Sequence, residues 1–534
     1  MSTFPKFTEA FALEGFSLWY NPDNRNCVSY KGEIITNKGI YELEFRFSGN
    51  RLVSFPKAFM LTQDNPNLKP FYFPHLDGDW QLCFDEGIKV FDKYRPIDMV
   101  KYCVERVRYV INSTTLHDMK EITREFMAYW KPSKRYFGEM RPSVNYAKLQ
   151  NDILTGISDD RFNSSKSKNQ YIAIYKIPEI PEFANIKWPI ENIGDLCLWL
   201  NNVNSICSEI KKNIKTKIRE YLTDFIILIY SQKQNYYFGV EIGILSPLMH
   251  KKRKPHLQET TVNCILSKNS HIKNRLWIVN STPDELITSN TDSTINLINK
   301  NILLIGAGTI GSNLANMIVR NGGGVGNNGV LNIIDNDHFE PCNFSRHFLG
   351  INSTGRFKAE ALQNELIRIA PFCKIIALNE SVYTSTILSH EFDLIIDTTG
   401  EEALTMWLHE KLNHKNTVVI STWVRGRGEA VESFVLNNRE NGCHQCFRMS
   451  DSAITYTGEE YPLRGSCGSV YVPFSISASM YASLLTIEII NMWLLEKLPN
   501  NFFMQQLYPT GGIESKLIKK NGECQICGKN YTKE

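Results

Sequence analysis

Residues Asn301 to Arg346 read NILLIGAGTIGSNLANMIVRNGGGVGNNGVLNIIDNDHFEPCNFSR. The apolar run Ile302 to Ile305 has the length of a buried strand, and it enters a glycine turn, Gly306-Ala307-Gly308-Thr309-Ile310-Gly311. A helical pattern then runs through Arg320, and a second apolar run ends at Asp335. This is a nucleotide-binding βαβ unit, whose glycines let backbone approach phosphate while a helix N-terminus faces it. Dehydrogenases and flavoproteins share such a turn, so the residues that follow decide the chemistry. Asn343 and Arg346 come shortly after Asp335, Lys358 falls in the next helical pattern, and Asp397 closes the apolar run Leu394-Ile395-Ile396-Asp397. Hydride transfer has no use for a cluster of cations there, whereas cleavage between the phosphates of ATP does.

Working outward, a chain of 534 residues predicts about three domains, each able to bury its own core. Hydrophobic content of 43% and charged content of 22% are those of an ordinary globular protein. A net charge of +3 gives no argument for nucleic-acid or membrane partners. The cluster Lys251-Lys252-Arg253-Lys254 is read as a solvated loop. The opening MSTFPKFTEAF lacks a basic region followed by an apolar core, and the apolar stretch Phe474 to Leu498 contains serines and Glu488. The first feature predicts no signal peptide and the second a buried or interface helix rather than a membrane span. Thirteen cysteines in so long a chain then point to a reduced, cytoplasmic protein with metal-bound and reactive thiols.

Three regions are expected, at 1–155, 165–290 and 291–534. The first begins with an amphipathic helical pattern, Phe7 to Trp19. Strand-like runs follow at Cys27 to Tyr30, Ile40 to Phe47 and Leu52 to Leu61, then the Pro-aromatic segment Lys69 to His75 and a helix around Met99 to Val110. The polar stretch Phe162 to Gln170 reads as a linker. The middle region holds strand runs at Tyr171 to Ile177, Phe225 to Tyr230 and Tyr236 to Ile244 around a helical pattern, and carries no chemical motif. From about Thr291 strands and helices alternate, which predicts a doubly wound parallel sheet covered on both faces.

Two C-x-x-C pairs, Cys443/Cys446 and Cys524/Cys527, lie far apart in this last region. Four thiolates satisfy the tetrahedral preference of zinc, and the long separation suits a clamp on the C-terminal tail; redox dithiols are the alternative. Cys467, between the pairs in Leu463-Arg464-Gly465-Ser466-Cys467-Gly468-Ser469, is flanked by small residues, and Arg464 could lower its pKa.

The ordered set Gly306, Gly308, Gly311, Asp335, Asn343, Arg346, Lys358 and Asp397 resembles the ubiquitin-activating and sulfur-carrier-activating enzymes. That resemblance implies a Rossmann-like adenylation domain of the ThiF type with ATP and magnesium, in which a partner protein's C-terminal carboxylate attacks the α-phosphate. It implies Asp335 on ribose hydroxyls, Asn343 donating to phosphate, Arg346 and Lys358 as fixed cations, and Asp397 on the metal. It also implies Cys467 as the thioester nucleophile, the four paired cysteines as a structural zinc clamp, and a homodimer. Two features depart from the family, the longer glycine-rich connection Asn321 to Gly329 and His347 where Gln is frequent.

The run Pro74-His75-Leu76-Asp77-Gly78-Asp79-Trp80-Gln81-Leu82-Cys83-Phe84 resembles ubiquitin-conjugating enzymes. It implies an α+β conjugating-like domain with Cys83 as acceptor thiol and His75 beside it, though no Asn follows to support an oxyanion. The fusion order resembles the bacterial ubiquitin-transferase-like proteins of CBASS antiphage operons. This implies that the C-terminus of a cGAS-like (CD-NTase) nucleotidyltransferase, or a ubiquitin-like protein, is activated and joined to a target amine. A sulfur-carrier adenylyltransferase and a non-catalytic nucleotide-binding scaffold stand as alternatives.

Overall fold

The computed structural model describes residues 4–20, 27–48, 54–62, 73–77, 79–85, 90–115, 119–138, 170–181, 189–201, 206–219, 224–244, 270–280, 282–292, 294–413, 415–437, 440–450, 472–508 and 511–528. The chain divides into two compact units, Met1–Ser281 and Thr282–Glu534.

The first unit opens with α1 (Phe4–Leu13) and an antiparallel meander, β1 (Phe16–Trp19), β2 (Cys27–Thr36), β3 (Gly39–Ser48), β4 (Lys57–Met60) and the short β5 (Gln81–Leu82), ordered β1-β2-β3-β4-β5. The amphipathic pattern expected to run helically through Trp19 therefore breaks in two. Gly15 adopts φ +83, which glycine tolerates without penalty, and the chain leaves the helix there to pair Phe16–Trp19 with Ser29–Gly32. α2 (Pro96–Ser113) covers this sheet with Val100, Val104, Val107 and Ile111, and Phe11 stacks on Tyr30 at 4.1 Å within the same core.

Beyond α2, the chain forms α3 (Met119–Arg124), α4 (Phe126–Trp130) and β6 (Lys134–Gly138). β6 pairs in parallel with β10 (Ser270–Asn280), in a second sheet ordered β6-β10-β9-β8-β7, where β7 is Gln170–Ile177, β8 Asp224–Ser231 and β9 Tyr236–Ile244. Residues 126–138 thus belong with the second sheet, although the sequence assigned everything to 155 to the first region. Phe126, Tyr129 and Trp130 sit in the second core with residues of α5 (Ile193–Leu200) and α6 (Ile206–Arg219).

In the second unit the sheet runs β13-β12-β11-β14-β15-β16-β17-β18. Its strands are β11 (Asn301–Ile305), β12 (Val330–Ile334), β13 (Ile375–Leu378), β14 (Leu394–Asp397), β15 (Val418–Arg425), β16 (Ala430–Leu436), β17 (Phe502–Gln506) and β18 (Gly512–Lys516). Pairing is parallel from β13 to β15 and antiparallel from there to β18. The expected all-parallel sheet is therefore mixed, because a tight turn after Arg425 returns β16 directly alongside β15 without a crossover helix. The helices are α7 (Pro283–Thr288), α8 (Thr309–Arg320), α9 (Lys358–Ile369), α10 (Glu402–Leu412), α11 (His444–Arg448) and α12 (Ile476–Leu494). Two separate cores, one holding Ile302, Leu304 and Ile396 and the other Leu303, Ile305 and Ile395, place apolar residues on both faces of the central strands. Among the described residues no helix is long and apolar enough to cross a membrane.

Candidate functional site

β11 lies between β12 and β14. The chain winds outward from β11 to β13 on one side and from β14 to β15 on the other, so a crevice opens at the carboxyl ends of β11 and β14. A cavity of about 590 Å³ occupies it, lined by Gly306, Gly308, Thr309, Asp335, Asp337, Lys358, Thr398, Thr399 and Gly400 among others. That is ample for a nucleotide.

The glycines here have distinct jobs. Gly306 turns at φ +89 directly after β11. Gly308 caps α8, so the free N–H groups of that helix and its positive dipole end face the cavity. Gly311 serves packing, since a Cβ there would lie 1.9 Å from the Gly306 carbonyl oxygen. Asp335 fastens the turn at the end of β12, its Oδ2 accepting from Ala307 N–H at 2.7 Å and its Oδ1 from Asp337 N–H at 2.8 Å. Burial pushes its carboxyl pKa up, against these two donors and the Lys358 charge. Lys358, the first residue of α9, pairs with Asp337 at 2.9 Å. Asp337 is largely exposed, so an incoming phosphate can compete for this ammonium.

The structure brings Gly306, Gly308, Asp335 and Lys358 to one cavity, with Gly311 bracing them, but it does not bring Asn343, Arg346 or Asp397 to its wall. Asn343 closes a one-turn 3₁₀ helix, its Oδ1 accepting from Glu340 N–H at 2.9 Å. Arg346 is buried, its guanidinium 4.3 Å over the Phe474 ring and Nη1 donating to the Val472 carbonyl at 3.4 Å. Phe474, on which it stacks, lines the cavity. Asp397, expected on magnesium, points inward at 1% exposure. Its oxygens accept from Thr399 N–H at 3.0 Å, Thr399 Oγ1 at 2.7 Å and Thr405 Oγ1 at 2.8 Å. These donors stand in for the solvent that a buried carboxylate loses, and Asp397 faces them rather than the cavity wall.

Two further residues brace this site: Thr398 escaped the sequence reading, and His347 was noted there only as a departure where Gln is frequent. Thr398 Oγ1 donates to the Gly306 carbonyl at 2.8 Å, tying the glycine turn to β14; the Asp-Thr-Thr-Gly run that ends β14 was its only signal. His347 meets the Ala307 carbonyl through Nε2 at 2.7 Å and accepts from Leu349 N–H through Nδ1 at 3.1 Å. One partner only accepts and the other only donates, which fixes the neutral Nε2–H tautomer. Burial accordingly pulls the pKa of His347 down to about 4.

The two C-x-x-C pairs converge. Cys443 and Cys524 sulfurs lie 3.5 Å apart, Cys446 and Cys527 sulfurs 3.3 Å apart, and all four lie within 4.8 Å of one another. A disulfide needs about 2.05 Å. A tetrahedron of thiolates around zinc at about 2.3 Å has edges of about 3.8 Å, so the cluster is compatible with a structural zinc site. The Asn441–Lys519 bridge and Gly442 N–H donating to the Ile518 carbonyl at 2.9 Å hold the tail in place beside α11. Cys467 and Arg464 lie outside the described residues.

In the first unit Cys83 is exposed, just past β5. Its N–H donates to the His75 carbonyl at 2.8 Å, and the neighbouring Leu76–Leu82 bridge sets the two residues opposite one another. Burial of the sulfur, then Glu125, Asp85 and Asp77, push the Cys83 thiol pKa up. Gly78, read as the turn residue between them, lies outside the described residues.

Residues 286–526 match the ThiF family. The chain is 28% identical over 450 residues to the ATP-dependent ubiquitin transferase-like protein Cap2 of Pseudomonas aeruginosa, covering 79% of this chain and 80% of that protein. The Cap2 of Escherichia coli is 24% identical over 98% of this chain and 97% of its own length. The adenylyltransferase and sulfurtransferase UBA4 of Candida albicans is 24% identical over 45% of this chain and 53% of its own. With a ThiF domain carrying the nucleotide cavity and relatives spanning most of its length, the chain is similar to the Cap2-like ThiF fusions and is an adenylating enzyme of the ubiquitin-activating kind.

Proposed function

We propose that this enzyme joins the C-terminal glycine of a partner protein to a target amine in three acyl transfers. The partner carboxylate attacks the α-phosphorus of ATP and expels pyrophosphate. Cys467 then displaces AMP to form a thioester, and Cys83 takes the acyl group by thioester exchange before an amine accepts it. The partner is the C-terminus of a cGAS-like (CD-NTase) nucleotidyltransferase in CBASS antiphage defence, or a ubiquitin-like protein, and the enzyme works as a cytoplasmic homodimer. The first 115 or so residues, a helix, a meander and a covering helix with Cys83 exposed at its edge, serve as the conjugating-like part.

The observation that carries this reading is the cavity at the switch point, where Gly306, Gly308, Asp335 and Lys358 meet. Backbone N–H groups at the start of α8 and the Lys358 ammonium oppose the charge gathering on phosphate, and Asp335 faces ribose hydroxyls. Magnesium would supply further charge neutralisation on the phosphates; no step is assigned through it, since Asp397 is turned inward. Zinc is assigned to Cys443, Cys446, Cys524 and Cys527 as a structural ion.

The test is co-expression with the nucleotidyltransferase or ubiquitin-like protein encoded beside it. Adducts are weighed by denaturing, non-reducing mass spectrometry for the natural chain, Cys467→Ala and Cys83→Ala. A thiol-sensitive adduct that persists on Cys467 without Cys83, and vanishes from both without Cys467, is expected. An adenylate with no thioester would sink the conjugation reading and favour a sulfur-carrier adenylyltransferase, the activity carried in the name of the Candida relative.

A further inference from the structure

α4 packs in one core and presents side chains to another element of the same unit. Phe126 and Trp130 are buried in the second core, and Trp130 Nε1 donates to the Leu276 carbonyl of β10 at 3.0 Å. The same turn of chain points Glu125 and Tyr129 at His75. The His75 ring Nδ1 lies 2.7 Å from Glu125 Oε1, and the His75 N–H reaches the Tyr129 hydroxyl oxygen at 2.9 Å and Glu125 Oε2 at 3.2 Å. Tyr129 in turn donates its hydroxyl to Glu125 Oε2 at 3.0 Å. One residue on, Lys131 pairs with Asp77 at 3.1 Å and with Asp79, pinning the turn between His75 and Cys83. His75 itself adopts φ +67, a left-handed conformation that a side chain of this shape rarely takes unaided. Backbone and ring are thus both fixed by one carboxylate.

We propose that Glu125, braced by Tyr129, is a positioning residue that holds the His75 ring by Nδ1 so that Nε2 relays the proton when an amine displaces the acyl group from Cys83. This rests on the transfer reading above. The amine nitrogen attacks the acyl carbon, a C–N bond forms, and the C–S bond breaks with its electron pair on sulfur. The proton shed by the amine passes to Nε2 of His75 and from there to the Cys83 sulfur, so the step involves no oxidant or reductant.

The surroundings favour such a relay. Burial, with Glu125, Asp85 and Asp77, raises the Cys83 thiol and makes its thiolate a poor leaving group unless protonated. The Glu125 hydrogen bond raises His75, with Glu121 adding to it and burial and Arg106 opposing it. Burial alone would raise the Glu125 carboxyl, but the hydrogen bonds and charge of His75 and the Tyr129 hydroxyl together bring its pKa below the ordinary value. The middle region, which the sequence left as a spacer, therefore acquires a role in the chemistry: its core anchors the segment that orients His75.

The experiment uses the full chain and a synthetic probe, acetyl-glycylglycine benzyl thioester, with free lysine as the acceptor amine. Acylation of Cys83 is located by peptide mapping at acid pH, and its discharge is followed from pH 5.5 to 9. Glu125→Gln is expected to acylate as the natural chain does but to discharge about 10- to 100-fold more slowly, the range of a positioned acid–base group. The midpoint of its pH profile should move to lower pH. His75→Gln should show the same loss, and the double variant no further loss. Wild-type discharge with an unshifted profile in Glu125→Gln, or losses that multiply in the double variant, would overturn the proposal. If Glu125→Gln does not fold, Tyr129→Phe decides: slower discharge supports the proposal and unchanged discharge overturns it. If Cys83 takes no acyl group while still reacting with iodoacetamide, the transfer reading itself fails.

Discussion

Gly311 offers the sharpest test of the nucleotide site. A Cβ placed on it would lie 1.9 Å from the Gly306 carbonyl oxygen and 2.6 Å from Thr398 Oγ1. The carbonyl would have to retreat by about 1.1 Å to reach even the closest tolerable contact of 3.0 Å. It is held where it is by the Thr398 hydroxyl at 2.8 Å, while the Gly306 N–H is bonded to the Ile334 carbonyl at 3.0 Å. Gly311→Ala therefore loses about 1 kcal/mol for the broken buried hydrogen bond and about 2–3 kcal/mol in overpacking. Against this stands a gain of about 1 kcal/mol from replacing glycine inside a helix. The net cost of about 2–3 kcal/mol corresponds to a fall in Tm of roughly 5–10 °C for a unit of this size. Gly308 is the control, for a Cβ there meets nothing within 4 Å. Gly308→Ala should keep its stability within about 0.5 kcal/mol but lose affinity for ATP, because its new methyl enters the cavity. Scanning calorimetry with and without ATP reads both effects, the ATP-shifted transition being that of the second unit. A Gly311→Ala chain with unchanged Tm and an unchanged ATP-induced shift would refute the account of the turn.

His347, held neutral with a folded pKa near 4 against an ordinary 6.5, binds its proton more readily in the unfolded chain. Stability should therefore rise with pH between about 4 and 6.5 and level off above, the full span being on the order of 3 kcal/mol. Denaturant unfolding of the natural chain and His347→Gln across that range checks this, and parallel curves would reject it. The four-cysteine cluster predicts about one zinc ion per chain, released to a chromophoric chelator when the thiols are mercurated. Cys527→Ser should lower the metal content and the Tm together; a metal-free natural chain would count against the clamp.

The local features of this protein were legible in its sequence because they depend on neighbours along the chain. A short apolar run followed by closely spaced glycines specifies a strand, a turn and a helix whatever else surrounds it, and Asn301–Ile305, Gly306–Gly311 and Thr309–Arg320 form as read. The helix at Ile476–Leu494 and the convergence of two C-x-x-C pairs were readable for the same reason, a periodicity and the demands of a tetrahedral ion. What the sequence could not contain was the effect of groups distant along the chain. Asp397 reads as a strand-end acid, but the Thr399 and Thr405 hydroxyls that engage its oxygens are set by the fold. Arg346 reads as a phosphate cation, and the fold stacks its guanidinium on Phe474. Residues 126–138 left the first region because β6 finds its partner at 276–280, across a separation that no window of sequence spans. The same long-range pairing sets Glu125 and Tyr129 on His75, fifty and more residues away. Sequence fixes periodicity and turn chemistry locally, while the groups that solvate, charge or orient a reactive side chain are chosen by packing, where the cost of an unpaired buried charge outweighs any local preference.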